Sequence, residues 1–550
     1  MKKIITLLLL MITFDALACP KYETRAVWVT TLYGLDWPKT KIRKVADIKQ
    51  QQNELCQLLD KLKAANFNTI LFQTRLRGNV IYPSKYESYN ESLTGVQGKD
   101  PGYDPLLFAI DECHKRGMEL HAWVVTIPVS NTTATQKNDK ISLLKKHREL
   151  CKTYRGKWYL DPGHPGTKDY LTQIVNEIVD RYDIDGLHLD YIRYPEKPQH
   201  FPDQTTYRKY GKNKPLEAWR RDNINSIVRS IYYEVKRLKP WVKVSSSPVG
   251  KYKDTHRYQS RGWNAYHAVY QDAQAWMKEG IHDLLFPMMY FRDNDFYPFA
   301  LDWNENRNQR LIVPGLGIYF MRKDERDWEL NEIMRQINFV RQCHLEGHAY
   351  FRAQHLTDNT KGIMTELSDL YYRWPAFPSP ARWLDSIPPL PPVQPSLSFQ
   401  KDHMLLKWED APENENEQIT FRIYASNQYP VDTENCRNIV CTGTRAREMS
   451  IPKGQIDCQY WAVTAADRYG NESAPLEMNC PSKPGLNIYR NEWPHIDENE
   501  ILIVYNMNGE KVTQFNHQQT PKSIAPEKGI YRLVKVSKNK KHSQMGWFIP

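Results

Sequence analysis

Short apolar runs alternate with amphipathic stretches through roughly the first two thirds of the chain. The runs are rich in β-branched and aromatic residues, which favour strands, and the segments between them carry apolar residues at helical spacing, as in "VADIKQQQNELCQLLDKLKAAN". The predicted strands lie at residues 24–31, 68–75, 119–126, 186–193, 242–249, 283–290, 311–320 and 348–355. Strands separated in this way by helices predict an α/β fold, a (β/α)8 TIM barrel with enlarged loops.

A doubly wound open sheet is the alternative fold for the same pattern. That fold binds dinucleotides through a G-x-G-x-x-G turn after its first strand, and no such motif follows residues 24–31. We therefore expect the barrel, and we expect no cofactor.

The pattern changes near residue 375 and becomes all-β. Residues 376–393 predict a proline-rich linker, because repeated prolines favour extended chain and exclude helix. Residues 394–483 alternate apolar and polar positions between turn signals, and Trp408 with "YWAVTAADRYGNESAP" resembles a fibronectin type III sandwich. Residues 484–550 predict a small C-terminal β domain with a hairpin signal at Asn508-Gly509, similar to C-terminal modules of exported Bacteroidetes proteins.

The N-terminus has the organisation of an export signal. Two lysines precede an apolar run at residues 4–14 that is too short to span a bilayer, and "ALA" at 16–18 is a small-residue cleavage site. We expect residues 1–18 to be a signal peptide and the protein to be exported, to the periplasm or to the outer membrane and cell surface. Cys19 also resembles the acylated first residue of a bacterial lipoprotein, so plain export and a lipid anchor through Cys19 both remain open.

The other cysteines fall into two groups. Cys56, Cys113, Cys151 and Cys343 are scattered through helix-like stretches and are predicted to be mostly buried thiols. Cys436, Cys441, Cys458 and Cys480 cluster in one later region and are candidates for disulfides whose pairing the sequence does not decide. None has metal-site spacing, so no metal site is predicted.

The formal net charge of +11 is spread along the chain rather than gathered in basic blocks, and no nucleic-acid-binding motif accompanies it. Such a charge suits an acidic polysaccharide, and an ordinary solvated basic surface explains it equally well. We expect a polysaccharide partner and no nucleic acid.

The fourth predicted strand, within "YDIDGLHLDYIRYP" at residues 182–195, carries charged residues where a buried strand should be apolar. With a side-chain period of two, Gly186, His188 and Asp190 share one face and the leucines share the other. The leucine face is expected against the helices and the polar face inside the barrel, with Asp190 last, at the mouth. Asp190 is therefore predicted to be catalytic; an ion pair between Asp190 and Arg193 that fixes the following loop is the structural alternative.

Three long motifs resemble the glycosyl hydrolase-like 10 family of exported bacterial proteins. They are "ETRAVWVTTLYGLDWP", "YPSKYESYNESLTGVQGKDPGYDPLLFAIDECHKRGMELHAW" and "DGLHLDYIRYP", in this order within residues 22–375. The resemblance implies a (β/α)8 domain that hydrolyses glycosidic bonds of an amino-sugar polymer. Peptide-stripped glycan strands of peptidoglycan are the expected substrate, and their lactyl carboxylates would suit a basic protein.

Glycoside hydrolysis usually needs two carboxyl groups, one acid and one base or nucleophile. Glu87, in the long loop after the second strand, is the best-placed partner for Asp190, and an ordinary solvated loop glutamate is the equal alternative. Asp104 directly precedes a helix and is expected to cap it. Asp283 begins its strand, at the end of the barrel opposite the catalytic mouth.

Position near a strand end also predicts which side chains contact substrate. Trp123 is a candidate sugar platform, or it fills the barrel interior, and His121 is assigned to binding only because core histidines are commoner than catalytic ones. The predicted substrate-binding residues are Arg75, His121, Trp123, His188, Tyr191, Arg193 and Tyr290.

The chain departs from the pattern of that family at several positions. It has Asn79 where aspartate is usual, Ser88-Tyr89-Asn90 for Pro-Trp-Ser, "VVTIP" for Asn-Pro-Tyr-Arg after "HAW", and Met288 for glutamine. If the missing aspartate is the family's acid, specificity would be altered or hydrolysis lost, since an amide cannot donate a proton as a carboxylic acid does. The chitinase pattern D-G-x-D-x-D-x-E also fails here, at His188 and Ile192.

Three functional hypotheses follow. The first is an exported glycosidase that uses Asp190 and Glu87, favoured by the intact "DGLHLDYIRYP". The second is a glycan-binding barrel without catalysis, favoured by Asn79 and by the replaced residues after Trp123. The third is a cell-surface scaffold whose C-terminal domains carry its role.

Overall fold

The computed structural model describes residues 19–133, 142–414 and 418–478, and then 487–490, 493–496, 498, 500–506, 511–518, 531–537 and 540–549. The predicted signal peptide, Cys480 and the Asn508-Gly509 turn lie outside the described residues. None of the helices within those ranges is long and apolar enough to cross a bilayer.

A closed ring of parallel strands forms the N-terminal domain, and all eight predicted strands are present in it. They are β1 (Thr24–Val29), β2 (Thr69–Arg75), β3 (Glu119–Val125), β4 (Gly186–Asp190), β5 (Lys243–Ser246), β6 (Leu284–Leu285), β7 (Leu311–Ile312 and Gly315–Leu316) and β8 (Gly347–Tyr350). Each strand pairs with the next, and β8 returns to β1, where Gly347 lies opposite Thr24. The (β/α)8 prediction is confirmed.

β7 consists of two short segments, and each segment pairs with a different neighbouring strand. Leu311–Ile312 pairs with β6, and Gly315–Leu316 pairs with β8. Pro314, between the halves, has no N–H to donate to a ladder, which interrupts the strand where it changes neighbours. The sheet is therefore continuous around the barrel although no single ladder runs the length of β7.

Helices cover the outside of the ring. The main ones are α1 (Val45–Ala64), α2 (Pro105–Lys115), α3 (Pro165–Arg181), α4 (Leu216–Leu238), α5 (Ala273–Glu279), α6 (Tyr297–Glu305), α7 (Leu330–Gln342) and α8 (Ile363–Glu366). Further helices lie at Glu91–Thr94, Leu143–Lys146, Gln204–Tyr210, Ala265–Ala268 and Ala353–Thr357. Asp104 caps α2 as predicted, because its carboxylate accepts hydrogen bonds from the backbone N–H groups of Leu106 and Leu107.

The two faces of β4 enter two different cores. Leu187 and Leu189 pack outward among the helices in the large core of the domain. His188 points inward, where it contacts Trp28 of β1 at 3.3 Å and Ser245 of β5 at 3.0 Å. The period-two prediction is confirmed, and the barrel interior is filled by side chains rather than open.

Two antiparallel sheets form the next domain. The first contains β9 (Val393–Phe399), β10 (His403–Glu409) and β13 (Glu448–Pro452); the second contains β11 (Thr420–Ser426), β12 (Ile439–Thr444), β14 (Tyr460–Ala466) and β15 (Leu476–Met478). Trp408, Phe421 and Trp461 are buried between them. The predicted all-β sandwich is present, and its assignment to the fibronectin type III class stays a prediction.

The sandwich covers the end of the barrel at which the strands begin. Arg468 reaches Asp183 at 2.6 Å and Asp185 at 3.2 Å, just before β4. Thr442 of the sandwich accepts a hydrogen bond from Lys63 at 2.7 Å, at the end of α1. Among the described residues, the sandwich leaves the opposite end, where the strands finish, uncovered.

The proline-rich stretch is part of this contact and not a separate spacer. Phe377 is buried and exchanges backbone hydrogen bonds with Lys21 and Glu23, ahead of β1. Trp383 donates to Asp283 at 2.9 Å at the start of β6. Asp283 therefore lies at the end away from the mouth, as predicted.

A disulfide joins the N-terminus to the sandwich, between Cys19 and Cys436. Cys436 was predicted to pair within its own cluster, and the structure corrects this, because Cys441 and Cys458 are free thiols. A sulfur in a disulfide cannot also carry a lipid thioether, so this disulfide and a lipid anchor through Cys19 exclude each other. Cys56, Cys113, Cys151 and Cys343 are free thiols, as predicted; Cys113 and Cys151 are buried, whereas Cys56 and Cys343 are half-buried.

A five-stranded sheet forms the C-terminal β domain, as the pattern predicts. Its strands are β16 (Asn487–Arg490), β17 (Glu500–Tyr505), β18 (Lys511–Asn516), β19 (Tyr531–Ser537) and β20 (Lys540–Ile549). The order is β16-β20-β19-β17-β18, antiparallel except for β16 beside β20. Leu502, Val504 and Phe515 form its apolar centre.

We expect Arg468→Ala to lower the free energy of unfolding by roughly 3 kcal/mol, because it leaves the largely buried Asp185 with His114 as its remaining cation. Arg445→Ala is the matched control, since Arg445 bonds the same Asp183 but its side chain is 53% exposed, and its loss should cost less than about 1 kcal/mol. Urea denaturation measures both. Equal losses in the two variants would contradict a structural role for the buried pair.

Candidate active site

Asp190 is the last residue of β4, and its carboxylate lies at the mouth of the barrel. Oδ1 accepts hydrogen bonds from Ser247 Oγ at 2.7 Å and from the Tyr191 backbone N–H at 2.8 Å. Oδ2 accepts one from Trp123 Nε1 at 3.0 Å. These donors come from β3, from the chain after β5 and from Asp190's own loop, so three segments fix the carboxylate at one place.

Burial raises the pKa of Asp190 above that of an ordinary aspartate. The hydrogen bond from Ser247 is the largest opposing influence, followed by the Tyr191 N–H, the charge of Arg193 and the Trp123 indole. Burial prevails because every direct donor is neutral and Arg193 is not ion-paired with Asp190. The structural alternative, an ion pair between Asp190 and Arg193 that fixes the following loop, is therefore wrong. A raised pKa is the property that a proton donor needs.

A cleft of about 490 Å³ opens above Asp190. Its floor is formed by strand ends, and one wall is a small antiparallel sheet (Pro128–Asn131, Cys151–Tyr154, Lys157–Leu160) in the loop after β3. The aromatic side chains that line it are Trp123, Tyr154, Trp158, Tyr159, Tyr191, Tyr290 and Phe351. Rings of this kind can stack on the C–H faces of sugars, which makes the cleft suited to a glycan.

Tyr191 is held at the mouth by an unusual backbone conformation. Its φ is 53°, in the left-handed region that non-glycine residues seldom adopt. The hydrogen bond from its N–H to the carboxylate of Asp190 accompanies this conformation. The residue is 42% exposed and lines the cleft, so the strained Tyr191 presents an aromatic side chain to whatever enters.

The structure brings Trp123, Asp190, Tyr191, Arg193 and Tyr290 together in the cleft, in agreement with the sequence prediction that they meet at one site. Met288, at a position where the family usually has glutamine, also lines the cleft. Their contact with substrate stays a prediction.

His121 and His188 were predicted to bind substrate, and the structure corrects both. They point into the barrel but lie below the mouth, with 1% and 0% of their surface exposed. His121 Nε2 lies 3.1 Å from Glu119, and burial lowers the pKa of His188 well below that of a free histidine. Both side chains are buried in the interior and fill the barrel.

Arg75 and Glu87 are also corrected, because they bind each other and do not line the cleft. Arg75 donates to the two carboxylate oxygens of Glu87 at 2.8 and 2.6 Å, and Tyr170 donates to the same carboxylate at 2.8 Å. Both side chains of the ion pair are 0% exposed. Arg75 further donates to the backbone of Val125 and Thr126, so the pair fixes the end of β3.

Asn79 lies in the same loop and accepts a hydrogen bond from Asn90 at 2.8 Å. It is not among the residues that line the cleft. The amide at this position therefore joins two parts of the β2 loop, and Asn90 both supplies that bond and caps the short helix Glu91–Thr94.

Glu196 is the carboxylate that sequence reasoning missed. It is exposed, lies in the loop that follows β4 and lines the same cleft as Asp190. Asp190 and Glu196 are the acidic residues of the cleft lining over the part of the chain that the structure describes. Its position six residues after Asp190, in "DYIRYPE", was the available signal.

The aromatic wall after β3 was also missed. Its turn is Arg155-Gly156, with φ values of 48° and 71°, which is the two-residue hairpin geometry that favours glycine. The alternating "KTYRGKWYL" around it was the signal. Within the described ranges no group of three or more His, Cys, Asp or Glu side chains is arranged to hold a metal ion.

The closed (β/α)8 barrel carries a buried acid at the end of β4, beneath an aromatic cleft. Fold and site together are those of a carbohydrate-active barrel. The model of the family described as glycosyl hydrolase-like 10 matches residues 23–321. The chain is 33% identical to glycosyl hydrolase YngK of Bacillus subtilis over 485 residues, which cover 84% of this chain and 94% of that protein. It is 32% identical to glycosyl hydrolase DigH of Escherichia coli K12, over 64% of this chain and 87% of that protein.

The chain therefore belongs to the glycosyl hydrolase-like 10 family, and it is a glycoside hydrolase. Among solved structures it is similar to the glycoside hydrolase domain of PgaB (BpsB) from Bordetella bronchiseptica. That similarity has a TM-score of 0.44 at 12% identity and covers 64% of this chain and 99% of that one.

We expect Glu87→Gln to lower the free energy of unfolding by roughly 3 kcal/mol and to leave the glycan-cleavage rate of the folded protein unchanged, because it strands the buried Arg75 charge. Glu91→Gln, an exposed position in the same loop, is the matched control and should change neither quantity. Thermal unfolding and product formation below the transition measure the two effects. A stable Glu87→Gln protein that no longer cleaves would restore Glu87 as a catalytic group.

Proposed function

We propose that the protein is an exported glycosidase that cleaves the glycan strands of peptidoglycan after their peptides have been removed, or a closely related amino-sugar polymer. The observation that carries the proposal is the buried, hydrogen-bonded Asp190 on the floor of an aromatic cleft. Family membership supports the reaction type, and the basic character of the chain supports an acidic glycan.

In the proposed mechanism Asp190 is the general acid. Burial raises its pKa, so it retains a proton at a pH where an exposed aspartate has lost it, and it can protonate the oxygen of the leaving sugar. Glu196 takes the second role, which Glu87 cannot fill from inside its ion pair. As an exposed carboxylate of the same cleft lining, Glu196 would activate water or attack the sugar.

Export to an oxidising compartment is part of the proposal. The N-terminal lysines, apolar run and small-residue site support cleavage before Cys19. The disulfide between Cys19 and Cys436 supports the same location, since such bonds persist in the periplasm and at cell surfaces. In this proposal the disulfide, rather than a lipid, occupies the Cys19 sulfur.

A glycan-binding barrel without catalysis is the second candidate. The observation that favours it is the loop after β2, where Asn79 is an amide and Glu87 is sealed in an ion pair, so that no carboxyl of that loop reaches the cleft. In that case Asp190 would hydrogen-bond a sugar hydroxyl and donate no proton.

The deciding experiment is digestion of peptide-stripped peptidoglycan glycan, with the products identified by mass spectrometry. We expect cleavage by the native protein, and a loss of about 100-fold to 10,000-fold in rate for Asp190→Asn, as for removal of a general acid. Glu196→Gln should also lose rate, while Asp169→Asn, an exposed change on α3, should cleave like the native chain. Binding without cleavage by the native protein would establish the second candidate instead.

We expect Ser247→Ala to move the alkaline limb of the pH profile of kcat/KM to higher pH. The Ser247 hydrogen bond lowers the pKa of Asp190, so its removal raises that pKa further, and the protonated acid survives to higher pH. Rates measured across the pH range for native protein, Ser247→Ala and the control Ser230→Ala test this. An effect confined to the acidic limb would mean that Asp190 acts in its ionised form.

A further inference from the structure

The cleft contains basic side chains that have no acidic partner. Arg77, Arg155, Lys157 and Arg193 line it, and none of the four forms an ion pair with any residue of the described chain. Asp190 and Glu196 are the acids of the same lining. The cleft lining therefore carries more cationic than acidic side chains. Protonation of Asp190 would leave Glu196 as the anion of that lining.

Arg193 is the exception among the buried arginines of the described residues. Its exposed fraction is 6%, and its Nε has no hydrogen-bond partner. The other buried arginines are each paired with a carboxylate, in the pairs Arg25–Glu23, Arg75–Glu87, Arg220–Asp203, Arg352–Asp36 and Arg422–Glu472. A buried guanidinium without a counter-ion is costly, so its retention beside the catalytic acid points to a ligand that supplies the anion.

Arg193 lies against an aromatic residue of the cleft. Its guanidinium lies 4.9 Å from the centre of the Tyr191 ring, which is exposed in the cleft. Arg77 and Arg193 both line the cleft and both act electrostatically on Tyr191 and on Tyr159, so the two cations lie near the same aromatic surface. A planar carboxylate accepts two parallel hydrogen bonds from one guanidinium, which makes it a better match than a neutral hydroxyl.

We propose that Arg193 and Arg77 form a carboxylate-binding subsite beside Asp190, which selects glycans that carry an acidic sugar next to the bond that is cleaved. The subsite rests on the proposed function and defines its substrate class. The carboxylate belongs either to a lactyl ether or to a uronic acid. Arg155 and Lys157, at the turn of the aromatic wall, are exposed and add a longer-range attraction that salt screens.

Binding can be measured without cleavage, in an Asp190→Asn protein by calorimetry. The probes are a peptide-free GlcNAc–MurNAc tetrasaccharide, the same tetrasaccharide with its carboxyl groups reduced to alcohols, and a hyaluronan tetrasaccharide as the uronic acid. We expect at least about a tenfold preference for the lactyl carboxylate over its reduced form, the scale of one charge-assisted hydrogen bond. A higher affinity for hyaluronan would assign the subsite to uronic acids.

Adding Arg193→Gln, or Arg77→Gln if the first variant fails to fold, should abolish the preference while affinity for the reduced glycan stays the same. Arg237→Gln is the matched control, because Arg237 is 63% exposed in the last turn of α4, away from the mouth. Equal affinity for the acidic and reduced probes, or binding of neither, would overturn the subsite. Failure of the native protein to cleave, with the preference intact, would refute only the proposed hydrolysis.

Discussion

Closure of the parallel sheet is the constraint on which the rest of the structure depends. The ring exists because β7 serves two neighbours in succession and β8 returns to β1. A ring of this size leaves an interior that side chains fill, here with Trp28, Phe286 and His188 in contact. Only the last residue of an inward-facing row can then reach the mouth, which is why Asp190 is available and His188 is not.

The charged groups are used differently at the two ends of the barrel. At the end covered by the sandwich, charges neutralise each other, and Arg468 with His114 holds the pKa of Asp185 below its ordinary range against the effect of burial. At the mouth, Asp190 receives only neutral donors and Arg193 receives no anion. These two uncompensated groups lie at the end where a ligand can enter.

The position of the sandwich agrees with this difference between the two ends of the barrel. The sandwich, the proline-rich stretch and the Cys19–Cys436 disulfide all contact the end where the strands begin. They cover surface that has no part in the cleft and leave the loops after β3 and β4 free to shape it. Those loops supply the aromatic wall, Tyr191 and Glu196, so the site is determined by loops held on a rigid ring.

The sequence by itself determined the barrel, the sandwich and the position of Asp190. Apolar periodicity depends on nearest neighbours along the chain, and the order Gly186, His188, Asp190 on one face of β4 follows from a period of two. Only the tertiary structure decided which polar side chains are paired inside the protein and which remain available to a ligand. Arg75 and Arg193 look equivalent at two strand ends, yet Glu87 folds back onto Arg75, whereas no carboxylate of the described residues forms an ion pair with Arg193. Such partners are brought together by long-range packing, which no local pattern records.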